Sequence, residues 1–149
     1  MKNSTLMDIG WGIRREFMAL RNGAVADALR KGGMTQKEVY GLLLPQIKAT
    51  AEKFRPESRL EAATMARIYW GYKDSREGRL FACYLMPLDF LSQDEATRWA
   101  NDVVTREEAD IVAFSLIRHL PYAADIAEGL DASEDTLKKY TATAIRRFL

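Results

Sequence analysis

Signals that start and stop α-helices recur at short intervals along the whole sequence. A Ser or Thr followed three residues later by Glu forms a capping box, in which each side chain satisfies a free backbone N–H at the helix start. Three such pairs are Thr35/Glu38, Ser92/Glu95 and Thr105/Glu108. Asp74/Glu77 is a variant that begins with Asp, and Ser133 is a further candidate N-cap. Scattered prolines and glycines add further breaks. The chain is therefore predicted to fold as many short helices.

These signals predict helices over residues 5–21, 24–31, 35–40, 45–54, 58–71, 75–90, 93–103, 106–119, 121–128 and 133–148. The first carries an apolar stripe at helical spacing: Leu6, Ile9, Ile13, Phe17 and Leu20. No segment alternates apolar and polar residues for long, so no sheet is expected. Helices this short are unstable alone in water and must pack on their neighbours. The short connections favour antiparallel pairs.

A weak internal repeat runs through the second half of the chain. One polar, one alanine and one large apolar position recur at offsets of 31 and 29 residues: Arg79/Ala82/Leu85, Asp110/Ala113/Leu116 and Lys139/Ala142/Ile145. Units that cannot bury their own apolar face stack on one another. The repeat predicts one all-α domain over residues 1–149, an α-solenoid with its polar positions along one wall. Chance similarity among amphipathic helices is the alternative.

Composition excludes several classes of protein. With 149 residues and 48% hydrophobic content, the chain is long enough to bury a sizeable core. Its net charge of +1 is not that of a protein that coats nucleic acid indiscriminately. Cys83 is the lone cysteine, and no His or Cys cluster suits a transition metal. No apolar run approaches the ~20 residues of a membrane span, and no signal peptide is evident. We expect a soluble, cytoplasmic protein without a cofactor.

Four runs, in this order and spacing, resemble one family. They are YGLLLPQIKATAEKF at residues 40–54, IYWGYKDSREGRLFACYLM at 68–86, TREEADIVAFSLIRHL at 105–120 and SEDTLKKYTATAIRRFL at 133–149. Together they resemble the DNA alkylation repair enzymes of AlkD type, and the similarity covers nearly the whole chain. The resemblance implies HEAT-like helix pairs with a concave surface for duplex DNA. It also implies an alkylpurine glycosylase with further repeats beyond those present in this chain.

The family motif Trp-Asp-x-x-Asp is only partly matched. Aligned with residues 108–113, it keeps Asp110 as its first acid, whereas Glu108 and Ala109 occupy the aromatic positions and Ala113 the second acid. A carboxylate stabilises the positive charge that develops on the sugar during glycosidic cleavage. A shifted alignment gives that role to Asp110, which is therefore the candidate catalytic residue. A glutamate at an aromatic position is expected to repel phosphate.

Basic residues supply candidate DNA contacts, which position a duplex without reading its sequence. The candidate DNA-binding residues are Arg79, Lys138, Lys139, Arg146, Arg147 and, as the nearest tryptophan, Trp99. The alternative for the C-terminal cations is a solvated helix end. For Asp110 the alternative is an acid in the first turn of a helix, which stabilises the helix N-terminus. Tyr69, Trp70 and Tyr72 are expected to pack between repeats, with stacking on a nucleotide as the alternative.

Three functions remain open from the sequence. The first is binding of duplex DNA, alkylated or not, with or without excision of the base. The second is a non-catalytic scaffold that binds a protein partner. The third is self-association through the terminal helix, since the C-terminal Phe148-Leu149 is not a polar cap.

Overall fold

The computed structural model describes residues 3–149, with side chains from Leu6 onward. The α-helices are α1 (Asn3–Leu20), α2 (Gly23–Lys31), α3 (Leu44–Lys53), α4 (Arg59–Trp70), α5 (Arg76–Leu85), α6 (Gln93–Asn101), α7 (Arg106–Ser115), α8 (Ala123–Asp131) and α9 (Thr136–Arg146). Two 3₁₀ turns span Leu88–Phe90 and Ile117–His119. Over the described residues there is no strand, only one isolated bridge between Glu38 and Ser75. The all-α prediction is confirmed.

The chain divides into two compact units, Met1–Met86 and Pro87–Leu149. In the first unit α5 packs against both α4 and α3, and α1 packs on α3. In the second unit α9 packs against both α7 and α8. Packing of successive helices agrees with the predicted α-solenoid. A single domain over residues 1–149 stays a prediction.

Several start signals act as the sequence indicates. The Ser92 hydroxyl accepts the Glu95 N–H at 3.2 Å, and the Thr105 hydroxyl accepts the Glu108 N–H at 3.1 Å. Two predicted caps are displaced along the chain. Ser75 rather than Asp74 caps α5, and Asp135 rather than Ser133 caps α9.

The helix predicted over residues 35–40 is wrong. Glu38 instead exchanges backbone hydrogen bonds with the α4–α5 connection, donating to the Asp74 carbonyl at 2.9 Å and accepting from the Arg76 N–H at 3.0 Å. The buried Glu77 carboxylate then accepts the N–H groups of Tyr40, Gly41 and Leu42 at 2.9, 3.1 and 3.3 Å. These distant partners satisfy the donors that a local helix would have used.

Two predicted helices end early. The one predicted over 75–90 stops at Leu85, because Pro87 disfavours helical backbone in the preceding residue and Met86 is extended. The one predicted over 106–119 stops at Ser115, and the chain continues as the 3₁₀ turn Ile117–His119.

The apolar positions of the internal repeat lie inside the protein. Ala82, Ala113 and Ala142 are each fully buried, as are their partners Leu85, Leu116 and Ile145. In the predicted stripe of α1, Ile13 and Phe17 are buried. The alanine and large apolar positions of the repeat therefore face inward, and close approach of the helices at the alanines stays a prediction.

No helix in the described part of the chain is both long and apolar enough to cross a bilayer. A cytoplasmic location stays a prediction.

Candidate nucleic-acid interface

Asp110, the candidate catalytic acid, is held by a tyrosine from the next repeat unit. The Tyr140 hydroxyl, on α9, lies 2.9 Å from Asp110 Oδ1 and 3.1 Å from Oδ2, on α7. Both side chains are partly buried. The single phenol proton is shared between the two carboxylate oxygens, so the carboxylate already has a donor before any ligand arrives.

Two arginines flank this pair. The Arg106 guanidinium lies 5.0 Å from the centroid of the Tyr140 ring. Burial, followed by the hydrogen bond and the charge of Asp110, raises the pKa of Tyr140, and the neighbouring Arg147 opposes that rise. The phenol therefore remains protonated at neutral pH and keeps donating to Asp110.

The same surface continues along α7 to an aromatic pair. The rings of Phe114 and Phe148 meet edge to face with centroids 5.4 Å apart, and both are at least one-third exposed. The Arg118 guanidinium lies 3.9 Å from the Phe114 centroid and donates to the Phe114 carbonyl at 2.6 Å. Since only the Nε of Arg118 is used in that hydrogen bond, its remaining N–H groups can donate to a ligand beside the exposed ring.

Helical spacing explains how these side chains come together. Residues four apart share a helix face, and so do residues seven apart, two turns along. On α7 this spacing places Arg106, Asp110 and Phe114 on one face, and Arg118, in the 3₁₀ turn after the helix, joins them through its contact with the Phe114 ring. On α9 it aligns Tyr140 with Arg147, and Phe148 follows. We call these seven residues the α7–α9 strip: Arg106, Asp110, Phe114, Arg118, Tyr140, Arg147 and Phe148.

The other predicted cations of α9 are differently placed. The Lys139 ammonium is exposed and donates to the Asp131 carbonyl at 3.0 Å, and the Arg146 guanidinium pairs with the Asp131 carboxylate. Lys138 is half-buried. Of the four predicted basic residues on α9, Arg147 therefore reaches the strip directly.

Two predicted DNA contacts are buried. Arg79 has no exposed surface; its guanidinium lies 3.5 Å from the Trp70 ring centroid and donates to the Trp70 carbonyl at 2.6 Å. Trp99 is only 4% exposed. A buried guanidinium and a buried indole present no surface to a phosphate. The polar position of the repeat therefore does not line one wall: Arg79 is buried, Asp110 half-buried and Lys139 exposed.

The motif positions that depart from the family pattern also lie inside. Glu108 is fully buried, and its carboxylate accepts the Val104 N–H at 3.0 Å. The expectation that Glu108 repels phosphate is therefore wrong, because its charge points into the protein. Ala109 and Ala113 are fully buried as well, which leaves Asp110 as the partly exposed acid of the motif.

Sequence reasoning missed Arg106, Phe114, Arg118 and Tyr140. The four-residue spacing from Arg106 to Arg118 is the sequence signal that could have identified three of them. Their contacts with Tyr140 and Phe148 are a feature of the tertiary structure alone. Among the described residues, no three His, Cys, Asp or Glu side chains are grouped to hold a metal.

The sequence of this chain matches one known protein family. The family model for DNA alkylation repair enzymes matches residues 13–146. The chain belongs to the DNA alkylation repair enzyme family. No curated protein and no solved structure matches it. Within this family member, the matched region includes all of α7 and α9 and five of the seven strip residues, from Arg106 to Tyr140.

Proposed function

We propose that this DNA alkylation repair family protein binds duplex DNA through the α7–α9 strip. The observation that carries the proposal is that the three arginines of the strip each lie against one of its partly exposed aromatic side chains, and that Asp110 is the one carboxylate among its seven residues. Guanidinium groups bind phosphate oxygens bidentately, so three of them on one set of aromatic side chains suit a phosphate backbone. Exposed rings add contacts with sugars and bases.

The charge balance of the strip favours binding over catalysis. A carboxylate that stabilises a sugar cation needs a negative local potential. Asp110 instead shares the Tyr140 proton and lies in a strip with three arginines. The aromatic positions of the family motif are replaced by buried Glu108 and Ala109. We therefore propose binding without efficient excision of alkylated purines.

The salt dependence of duplex binding tests the interface. Each phosphate contact releases condensed counterions, so removing one lowers the slope of log K against log salt by about 0.9. Arg147→Gln and Arg106→Gln should each weaken binding and flatten this slope. Lys48→Gln, which removes an exposed charge from α3, is the matched control and should change neither. Equal affinities in all four proteins would overturn the proposed interface.

Release of base from alkylated duplex DNA tests catalysis. The wild type and Asp110→Asn should both release base at the uncatalysed rate while still binding the duplex. Release that is faster in the wild type and is lost in Asp110→Asn would show that Asp110 is catalytic and would contradict the binding-only proposal.

A protein-interaction scaffold is the second candidate. The net charge of +1 and the exposed Phe114–Phe148 pair favour it, because aromatic surfaces without strong net charge are common in protein interfaces. A purified partner that binds the wild type, loses affinity with Phe114→Ala and is insensitive to nuclease would support the scaffold. Duplex binding that depends on Arg147 would exclude it as the principal function of the strip.

A further inference from the structure

The first compact unit contains an open cleft that the proposed function does not use. It has a volume of about 1120 Å³ and lies between α1, the end of α4 and the segment around residues 37–40. Ligand sites for small molecules are typically ~300–1,000 Å³, so the cleft has room for one with solvent at its mouth. Its aromatic lining residues are Trp11, Phe17, Tyr40, Tyr69 and Tyr72.

Two glycines of α1 lie close to other side chains of the first unit, and one of them, Gly10, lines the cleft. At Gly12, an added Cβ would lie 2.8 Å from Phe54 Cε1, so α1 approaches the end of α3 there closely. At Gly10, an added Cβ would lie 3.7 Å from the Tyr69 hydroxyl, across the cleft. A small residue at this position leaves the Tyr69 hydroxyl facing the cleft.

Apolar and aromatic side chains remain exposed at the mouth. Trp11 is 57% exposed, Tyr72 54% and Met7 65%. The Tyr72 ring is held edge to face against Tyr69, with centroids 5.7 Å apart. An indole and a phenol ring exposed at one cleft form a surface on which a planar ring can stack.

Three cations, Arg14, Lys37 and Lys73, and two carboxylates, Glu38 and Asp74, line the cleft, so positive charge is in excess by one. Lys37 and Asp74 face each other at 4.0 Å, and the Glu38 carboxylate accepts the Ser75 hydroxyl at 3.4 Å. Arg14 is exposed, lines the cleft and pairs with no carboxylate among the described residues. Its guanidinium is therefore available to an anion bound beside the aromatic rings.

We propose that this cleft binds a nucleotide, with the base stacked against Trp11 and Tyr72 and a phosphate on Arg14. The combination of exposed rings and an unpaired guanidinium matches the two halves of such a ligand, one planar and apolar, the other anionic. The nucleotide is either free or an unpaired residue of a nucleic acid strand. The site is built from the first unit alone, so it does not depend on the α7–α9 strip.

Tryptophan fluorescence provides a local readout. Trp11 is exposed, whereas Trp70 and Trp99 are only 5% and 4% exposed, so a stacked base will quench mainly Trp11. The full chain is titrated with adenosine monophosphate, with a single-stranded oligothymidine and with inorganic phosphate. Saturable quenching by either of the first two, but not by phosphate, is expected. Quenching by the mononucleotide indicates a free ligand, and quenching by the oligonucleotide alone indicates an unpaired residue.

Neighbouring arginines supply the matched control. Arg14→Gln should weaken binding at least about tenfold, since a hydrogen bond to a charged group is lost. Arg15→Gln removes the same charge one residue along, outside the cleft lining, and should leave binding unchanged. Gly10→Leu should abolish quenching without loss of thermal stability, because leucine favours a helix and occupies the cleft.

The proposal is overturned if neither nucleotide probe quenches Trp11 saturably, or if the two arginine variants behave alike. It is also overturned if quenching follows protein concentration without any nucleotide, since a second copy of the chain would then occupy the cleft. Arg147→Gln should not alter quenching by adenosine monophosphate, so failure of this site and failure of the α7–α9 strip can be told apart.

Discussion

The hydroxyl of Tyr140 donates to the carboxylate of Asp110 across thirty residues of sequence, at 2.9 and 3.1 Å from its two oxygens. The contact joins α7 to α9 at their partly exposed surface. It also fixes the orientation of the Asp110 side chain, the candidate catalytic acid. Whatever reaches this surface meets a carboxylate that is already hydrogen-bonded and is flanked by Arg106 and Arg147.

Removing that hydroxyl should affect both stability and binding. Tyr140→Phe is expected to destabilise the protein by about 1 kcal/mol, because one partly buried hydrogen bond is lost. Duplex affinity should fall as well, since the uncovered Asp110 carboxylate repels phosphate. Urea denaturation and a duplex titration measure the two effects.

Tyr122→Phe is the matched control for this change. The Tyr122 hydroxyl donates to the Leu91 carbonyl at 2.6 Å in the same unit, so its removal should destabilise without changing DNA affinity. Unchanged DNA affinity in Tyr140→Phe would show that the Asp110–Tyr140 pair lies outside the interface.

Alkaline pH should destabilise the protein through Tyr69. Burial, followed by the nearby Tyr72 and Tyr40, raises the pKa of Tyr69 from 10.0 to about 12. Since the folded pKa is the higher one, the stabilisation is fully present below pH 10 and is lost as the pH rises towards 12. Two pKa units correspond to about 2.7 kcal/mol, and the partial exposure of Tyr69 to solvent reduces this, so the loss should approach about 2 kcal/mol.

Denaturation midpoints measured between pH 9 and 12 test whether stability falls as the pH rises. In Tyr69→Phe the decline with pH should be shallower than in the wild type, because phenylalanine cannot ionise. Parallel declines in the two proteins would assign the alkaline instability to other groups.

Glu77 should be essential for the first unit. It is fully buried, pairs with Arg76 Nη1 at 2.6 Å and accepts three backbone N–H groups. Glu77→Gln leaves the buried Arg76 charge without its anion, and should cost about 3 kcal/mol or more in the free energy of unfolding. Urea denaturation measures the loss. Glu57→Gln, at an exposed position, should stay within about 0.5 kcal/mol of the wild type.

Alanine substitutions at Gly41 and Gly33 should distinguish the cost of backbone strain from the cost of a steric clash. Both have positive φ, +85° and +105°. An added Cβ would lie 2.1 Å from the Asn22 carbonyl oxygen at Gly41, whereas nothing lies within 4 Å at Gly33. Gly33→Ala should cost about 1 kcal/mol of strain. Gly41→Ala should cost at least about 2 kcal/mol more, since backbone must move. Equal thermal shifts would mean that the 40–42 segment relaxes freely.

Local chemistry made much of the fold predictable. Ser92 and Thr105 cap helices because a hydroxyl at that position accepts an N–H that has no other partner, whatever the rest of the chain does. The repeating alanines are buried because a helix face without large side chains lets a neighbour approach. The same reasoning failed at residues 35–40, where Thr35 and Glu38 fit a capping box. There, partners from residues 74–77 outcompeted the local hydrogen bonds.

The sequence by itself determined that the chain is helical, that the alanine and large apolar positions of the repeat face inward, and which family the chain belongs to, because caps, periodicity and motif order are properties of neighbouring residues. Only the tertiary structure decided which polar side chains reach solvent. Arg79 and Asp110 occupy equivalent repeat positions, yet one lies over a buried Trp70 ring and the other meets Tyr140 at the surface. The direction of a charged side chain depends on the partners that distant helices offer it, and no spacing along the chain encodes that.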